Sequence, residues 1–232
     1  MSKKYEHLFF DLDHTLWDFE ANSKTTLTEM YGRYNMEQAT GADAEQFYNT
    51  YIHINREKWQ LYSLGKITKD ELRAQRFPDT FKTFGYEDTD FLKNFEEEYI
   101  ATCPHKTQLM PGTIELLDYL QGKYELHVIT NGFMESQDTK MNKSGISPYF
   151  KNVFSSELFG VNKPGALIFH ESLKRARAGL HHSLMIGDNL QADIIGAKAV
   201  GMDQVYYNPE EEEHDESPTY EVSHLLQLKS FL

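Results

Sequence analysis

The stretch LFFDLDHTLWDF, residues 8–19, sets two aspartates, Asp11 and Asp13, directly after an apolar run and a threonine, Thr15, two positions further on. Burying an ionised carboxylate without a partner costs several kcal/mol or more. Two of them at the exit of a buried segment therefore need a physical reason. In extended chain, residues two apart share a face, so a strand ending here would present both acids to the same side.

Working outward, similar short apolar or β-branched runs recur at ELHVIT (125–130), NVFSS (152–156), SLMIGD (183–188) and QVYYN (204–208). Stretches with apolar residues at helical spacing lie between them, at 133–144, 166–178 and 192–200. Strands alternating with helices predict an α/β fold with a Rossmann-like parallel sheet covered on both faces. Gly132, Gly187 and Gly201 stand where tight turns are expected. Between the first run and the second the pattern changes. No strand-like run occurs from Trp17 to about Cys103, and the periodicity predicts helices over 20–34, 44–63, 68–83 and 88–101. Thr68 and Glu71 have the spacing of a capping box. The expected organisation is a core formed by 1–17 and 104–232, with an α-helical domain, 18–103, inserted after the first strand. The acidic run at 210–216 reads as a solvated loop before a last helix.

Composition narrows the function classes. The 232 residues are 40% hydrophobic and 25% charged, ordinary for a globular chain, and the net charge of −13 disfavours a nucleic-acid polymer as partner. The single cysteine, Cys103, cannot form an intrachain bridge and reads as a small buried hydrophobe. The apolar run in MSKKYEHLFF is too short for a signal peptide, and no stretch approaches the ~20 apolar residues of a membrane span. A cytoplasmic protein, monomer or homodimer, acting on a small molecule is the expectation.

In open parallel sheets the reactive site lies outside the carboxyl ends of the strands. Those positions hold Asp11, Asp13 and Thr15 after the first run, and Thr130, Asn131 and Gly132 at the second. Lys163 follows the third, and Asp188 and Asp193 follow the fourth. Carboxylates without a His or Cys cluster make a hard oxygen site suited to Mg²⁺. A carboxylate can attack phosphorus and form an aspartyl-phosphate, while Lys163, Thr130 and backbone N–H groups would offset charge on the phosphoryl oxygens. Asp13 stands where it could protonate a leaving alkoxide and later activate water.

In order along the chain, DLDHT, VITNG, VNKPGALIF and IGDNLQAD resemble the four motifs of the haloacid dehalogenase superfamily. The inserted helices resemble that superfamily's C1 cap. The resemblance implies that Asp11 is the nucleophile and Asp13 the general acid/base. It implies Mg²⁺ bound by Asp11, the main-chain carbonyl of Asp13 and Asp188, with Asp193 supporting the metal or holding Lys163. Thr130 and Lys163 would bind phosphoryl oxygens, with Asn131 and Gly132 beside the substrate. Thr15 would either support the loop or touch substrate. His14 stands where many members have glycine, with its backbone N–H expected to donate. An acid at Asp13 favours phosphate esters over dehalogenation, which needs no proton. A phosphomutase, or a phosphatase of another metabolite such as a sugar phosphate, uses the same motifs. A phospho-accepting signalling domain is the non-enzyme alternative. The stretches at 17–27 and 55–77, with VITNGF, resemble the pyrimidine 5′-nucleotidase subgroup. Trp17, Phe19, Trp59 and Tyr62 would then offer a wall for a base, or else pack helices together. Arg73 and Arg76 would meet a substrate anion or pair with neighbouring acids.

Overall fold

The structure is a computed structural model that describes residues 4–232. Residues 1–3, part of the N-terminal stretch read as too short for a signal peptide, lie outside the described residues. Two compact units emerge, one formed by Met1–Phe19 and Thr107–Leu232, the other by Glu20–Lys106.

The first unit is built on six strands: β1 (His7–Phe10), β2 (Glu125–Thr130), β3 (Asn152–Ser155), β4 (Ser183–Gly187), β5 (Asp203–Tyr207) and β6 (Tyr220–Val222). Their order is β3-β2-β1-β4-β5-β6, and every neighbouring pair is parallel. The first strand therefore lies at the centre, with β2 and β4 on its flanks, and all four of its residues are buried. A strand covered on both faces reads as a continuous apolar run, which is why residues 8–10 lack alternation. On one face Phe9, Ile129, Phe154 and Met185 pack with Ile168, Phe169 and Leu173. The last three belong to the helix Ala166–Ala176. The helix Thr113–Leu120 buries Leu116, Leu117 and Leu120 and packs against the 3₁₀ turn Leu225–Ser230.

Where the chain leaves β1 and later returns, the two crossings run side by side. Trp17 and Leu109 form an antiparallel bridge, Asp18 N–H donates to the Gln108 carbonyl at 3.1 Å, and Met110 N–H donates to the Leu16 carbonyl at 2.9 Å.

The second unit contains α1 (Phe19–Arg33), α2 (Met36–Thr40), α3 (Ala44–Ser63), α4 (Lys69–Lys82) and α5 (Thr89–Thr102). Asp43 with Gln46 and Thr68 with Glu71 close capping boxes at the starts of α3 and α4, satisfying otherwise orphaned N–H groups. Its interior is aromatic, with Phe47, Tyr51, Phe77, Phe81, Phe95 and Tyr99 in mutual contact. Arg76 does not wait for a substrate anion. It is buried and makes a bidentate pair with Glu96 at 2.9 and 2.6 Å.

Three local expectations need correction. The segment after the acidic loop forms β6 and a 3₁₀ turn rather than a regular helix, because Asn208 fastens the Glu212 backbone and Val222 pairs in register beside Tyr207. The helix expected over 192–200 begins as a π-helical turn, Leu190–Ile195, before the short α-turn Gly196–Ala199. The helices Met36–Thr40 and Thr113–Leu120 also lay outside the expectation.

Candidate active site

The carboxyl ends of β1, β2 and β4 converge. Lys163 is 2% exposed, and its ammonium donates to Asp11 Oδ1 at 2.6 Å, Asp193 Oδ1 at 2.6 Å and the Ile129 carbonyl at 2.8 Å. Three donors meet three acceptors, so this buried cation is fully satisfied. Burial alone would lower its pKa, but Asp11 and Asp193 outweigh that and hold it above the ordinary lysine range. Asn131 ties the same loop down, its amide donating to the Lys163 carbonyl at 2.9 Å while its side-chain oxygen accepts the Lys163 N–H at 2.7 Å.

Asp11, Asp188 and Asp193 bring one oxygen each within 4.8 Å of one another. Burial pushes Asp11 up to about 7, with the Asp193 and Asp13 charges adding to it against Lys163. Burial, with the Asp11 charge, pushes Asp188 up to about 6. Three acids facing one ammonium leave an excess of negative charge, which a divalent cation would neutralise. Their hydrogen bonds say which oxygens remain. Asp193 gives one oxygen to Lys163 and the other to the Asn189 N–H at 3.1 Å. Thr15 Oγ1 donates to Asp188 Oδ1 at 2.7 Å and accepts the Asp188 N–H at 3.1 Å. Asp11 Oδ2 and Asp188 Oδ2 have no donor among the described residues. Two carboxylate oxygens with no donor, in a buried acid-rich pocket, suit Mg²⁺.

The π-helical turn explains how Asp193 reaches Lys163. Asn189 accepts N–H groups from both Asp193 and Ile194, and the widened turn folds the Asp193 side chain back over β4. Gly187 makes room for it, since a Cβ there would meet Asp193 Oδ2 at 2.3 Å.

Asp13 sits apart from this cluster. Lys140 donates to its Oδ1 at 2.5 Å and Gln137 to its Oδ2 at 2.8 Å. Both belong to the helix Met134–Lys143, which follows β2. Burial opposes ionisation of Asp13, but the Lys140 ammonium and the Gln137 amide prevail and hold it below the ordinary carboxylate range. The Gln137 Nε2 also donates to Thr130 Oγ1 at 2.8 Å, which accepts the Gly132 N–H at 2.9 Å as well. Gly132 leaves room for this amide, because a Cβ would stand 1.9 Å from Gln137 Nε2 and force it to move.

The structure brings Asp11, Asp13, Thr15, Thr130, Asn131, Gly132, Lys163, Asp188 and Asp193 to one end of the sheet. Trp59 and Tyr62 lie on α3 in the helical unit, partly buried and edge-to-face at 5.6 Å. Trp17 offers no wall for a base. It is fully buried, and the Lys140 ammonium lies 4.5 Å from its ring centre. The His14 N–H is spent on the Trp17 carbonyl at 2.9 Å. His14 adopts φ 64°, the left-handed conformation in which glycine is at ease, and its ring rests 5.1 Å from Phe19. Gln137 and Lys140 were missed in the sequence. Their signal was two polar residues three apart, on one face of the helix that follows Thr130.

Residues 5–201 match the model of the haloacid dehalogenase-like hydrolases. The chain is 39% identical to the pyrimidine 5′-nucleotidase PynA of Streptococcus pneumoniae, over 94% of this chain and 91% of that one. It is 31% identical to the pyrimidine 5′-nucleotidase YjjG of Escherichia coli, over 99% and 98%. The crystal structure of the HAD-hydrolase YfnB of Bacillus subtilis, bound to magnesium, superimposes with a TM-score of 0.88 at 33% identity, covering 98% of each chain. The chain belongs to the haloacid dehalogenase-like hydrolase family. It is an enzyme, and the two curated relatives just named are phosphatases acting on nucleotides. Among the described residues no helix is long and apolar enough to cross a membrane.

Proposed function

We propose that this hydrolase is a Mg²⁺-dependent phosphomonoesterase working through an aspartyl-phosphate, with pyrimidine nucleoside 5′-monophosphates as substrates. The observation that carries the chemistry is the Lys163 hub. It fixes the Asp11 carboxylate, so that one of its oxygens attacks phosphorus, as the bond to the leaving oxygen breaks, while the other is left for the metal. Asp11 and Asp188 would hold the metal, which when bound supplies positive charge to the carboxylates and the incoming phosphoryl oxygens. Asp193, with both oxygens engaged, acts by holding Lys163, and Thr15 acts by orienting Asp188. The Thr130 hydroxyl accepts two hydrogen bonds, so its own proton is left to meet an anionic oxygen.

Asp13 moves the protons. Lys140 keeps it ionised in the free enzyme. A phosphate dianion arriving beside it raises its proton affinity, so the proton it passes to the leaving alkoxide is taken up with the substrate. The carboxylate thus regenerated removes a proton from the water that attacks the phospho-aspartate, releasing phosphate and restoring Asp11. An acid in this position supports ester hydrolysis over dehalogenation.

The choice of nucleotide rests on the relatives at 31–39% identity. Hydrolysis of a panel of 5′-UMP, 5′-dTMP, 5′-AMP, triose and hexose phosphates and p-nitrophenyl phosphate, with Mg²⁺, tests it. The pyrimidine nucleotides should give the highest kcat/KM. A sugar or triose phosphate ahead of them would overturn the substrate while leaving the chemistry intact, and no hydrolysis of any ester would overturn both.

A further inference from the structure

At the opposite, starting ends of β1 and β2 lies a second group of metal-ligating side chains. His7 and Glu125 are register partners across the two strands, and His127 is two residues further along β2. One donor atom from each lies within 4.8 Å of the others. His7 Nδ1 is 3.2 Å from His127 Nε2 and 3.5 Å from Glu125 Oε2. Two ligands on a tetrahedral Zn²⁺, with bonds of ~2.0–2.2 Å, stand about 3.3 Å apart. Two of the three donor pairs are therefore already at ligand spacing. We propose that His7, His127 and Glu125 form a site for a transition-metal dication of the Zn²⁺ class, distinct from the carboxylate cluster at the other end of the sheet.

The surroundings fit such an ion. Two of the three ligands, Glu125 and His127, have a partner on the atom they do not present. Lys151 holds Glu125 Oε1 at 2.8 Å, and Asn152, the register partner of His127 on β3, lies 2.9 Å from His127 Nδ1. These are the supporting contacts that orient ligands around a metal. Without an ion, an Asn152 amide that donates to Nδ1 would leave the ring proton on His127 Nε2, facing His7 Nδ1. With one bound, Nε2 gives its lone pair to the metal, the ring proton moves to Nδ1, and a half-turn of the Asn152 amide lets its oxygen accept it. The tautomer exchange itself moves no net charge, and Glu125 supplies the one anionic ligand. His127 is fully buried while the Glu125 side chain is 44% exposed, so the group opens to solvent on its carboxylate side, where water can complete four-coordination. Imidazole nitrogens select Zn²⁺ and its neighbours over Mg²⁺.

The test is calorimetric titration of the full chain, stripped with EDTA and then saturated with Mg²⁺, using ZnCl₂ alone as probe. One Zn²⁺ should bind per chain. Glu125→Gln, at a partly exposed side chain, should weaken binding by about 10–100-fold, and His7→Gln should weaken it at least as much. Co²⁺ should give a visible band of four-coordinate intensity that both variants lose. The proposal fails if wild type binds no Zn²⁺ under Mg²⁺, or if Glu125→Gln, which does not depend on refolding a core, binds as wild type does. It also fails if rising Mg²⁺ displaces the ion, which would place it among the carboxylates.

Discussion

At their carboxyl ends β1 and β4 gather Asp11, Asp188 and Asp193 around one lysine, while at their starting ends β1 and β2 carry His7, His127 and Glu125. Both groups sit on strands whose burial disfavours charge, and the two ends answer differently. At the acidic end the charge is retained against its cost, so that Asp11 is pushed up to about 7 and Asp188 to about 6. At the histidine end burial, with the neighbouring His7, pushes His127 down to about 4, so its ring is neutral at ordinary pH. One end holds unresolved repulsion and the other a neutral imidazole ring, that of His127. Unresolved repulsion is what a site that must receive a cation and a phosphate would keep.

The sharpest way to break this contrast is Asp11→Asn. Turnover should fall by about 10⁴-fold or more with an unchanged far-UV circular dichroism spectrum, and a folded variant with wild-type activity would remove Asp11 from the mechanism. Asp13→Asn should cost about 10²–10⁴ in kcat, the range of a lost proton transfer. Lys140→Met should cost less, roughly tenfold. It should also move the acidic limb of the pH–rate profile upward, because Asp13 loses the cation that holds it low, and Lys140→Arg should restore the limb. If the limb stays in place, Lys140 merely fills space over Trp17.

Two smaller effects concern stability. Asp188→Asn keeps an oxygen for Thr15 and removes one of three crowded charges. In chelator the variant should therefore be more stable by about 1 kcal/mol, a rise of about 2–4 °C in Tm for a chain of this size. A loss of stability would make Asp188 a structural carboxylate. At the other end the sign is set by a depressed pKa. His127 contributes fully above pH 6.5, and that contribution is lost as pH falls through about 4, because the unfolded chain takes up the proton first. With chelator present, the urea midpoint of wild type should fall across this window more steeply than that of His127→Gln.

How much of this was legible in the sequence depended on where each residue stood. Asp11, Thr130 and Asp188 end apolar runs, so their place on the rim followed from strand geometry. Lys163 and Asp193 were placed on that rim in the same way, but the contact between them joins separate segments and followed only from the resemblance. Lys140 and Gln137 were hidden in a polar helix whose facing could not be read without the packing of Trp17. The histidine group was invisible for another reason. His127 interrupts the buried run ELHVIT, but what it meets depends on register with His7 and Asn152, and pairing register is not written in a single strand. Trp17 follows the packing alternative, its large apolar surface being claimed by the interior.

The paired crossings at Trp17 and Leu109 have a consequence for the chain's history. Because the two crossings are clasped together, everything from Glu20 to Lys106 is, to β1 and β2, one long loop. Loop-closure entropy grows only with the logarithm of length, so cutting such a loop tenfold would change the cost of bringing β1 and β2 together by about 2 kcal/mol. What lies between the two crossings can therefore be enlarged, trimmed or exchanged with little effect on the pairing of the central strands.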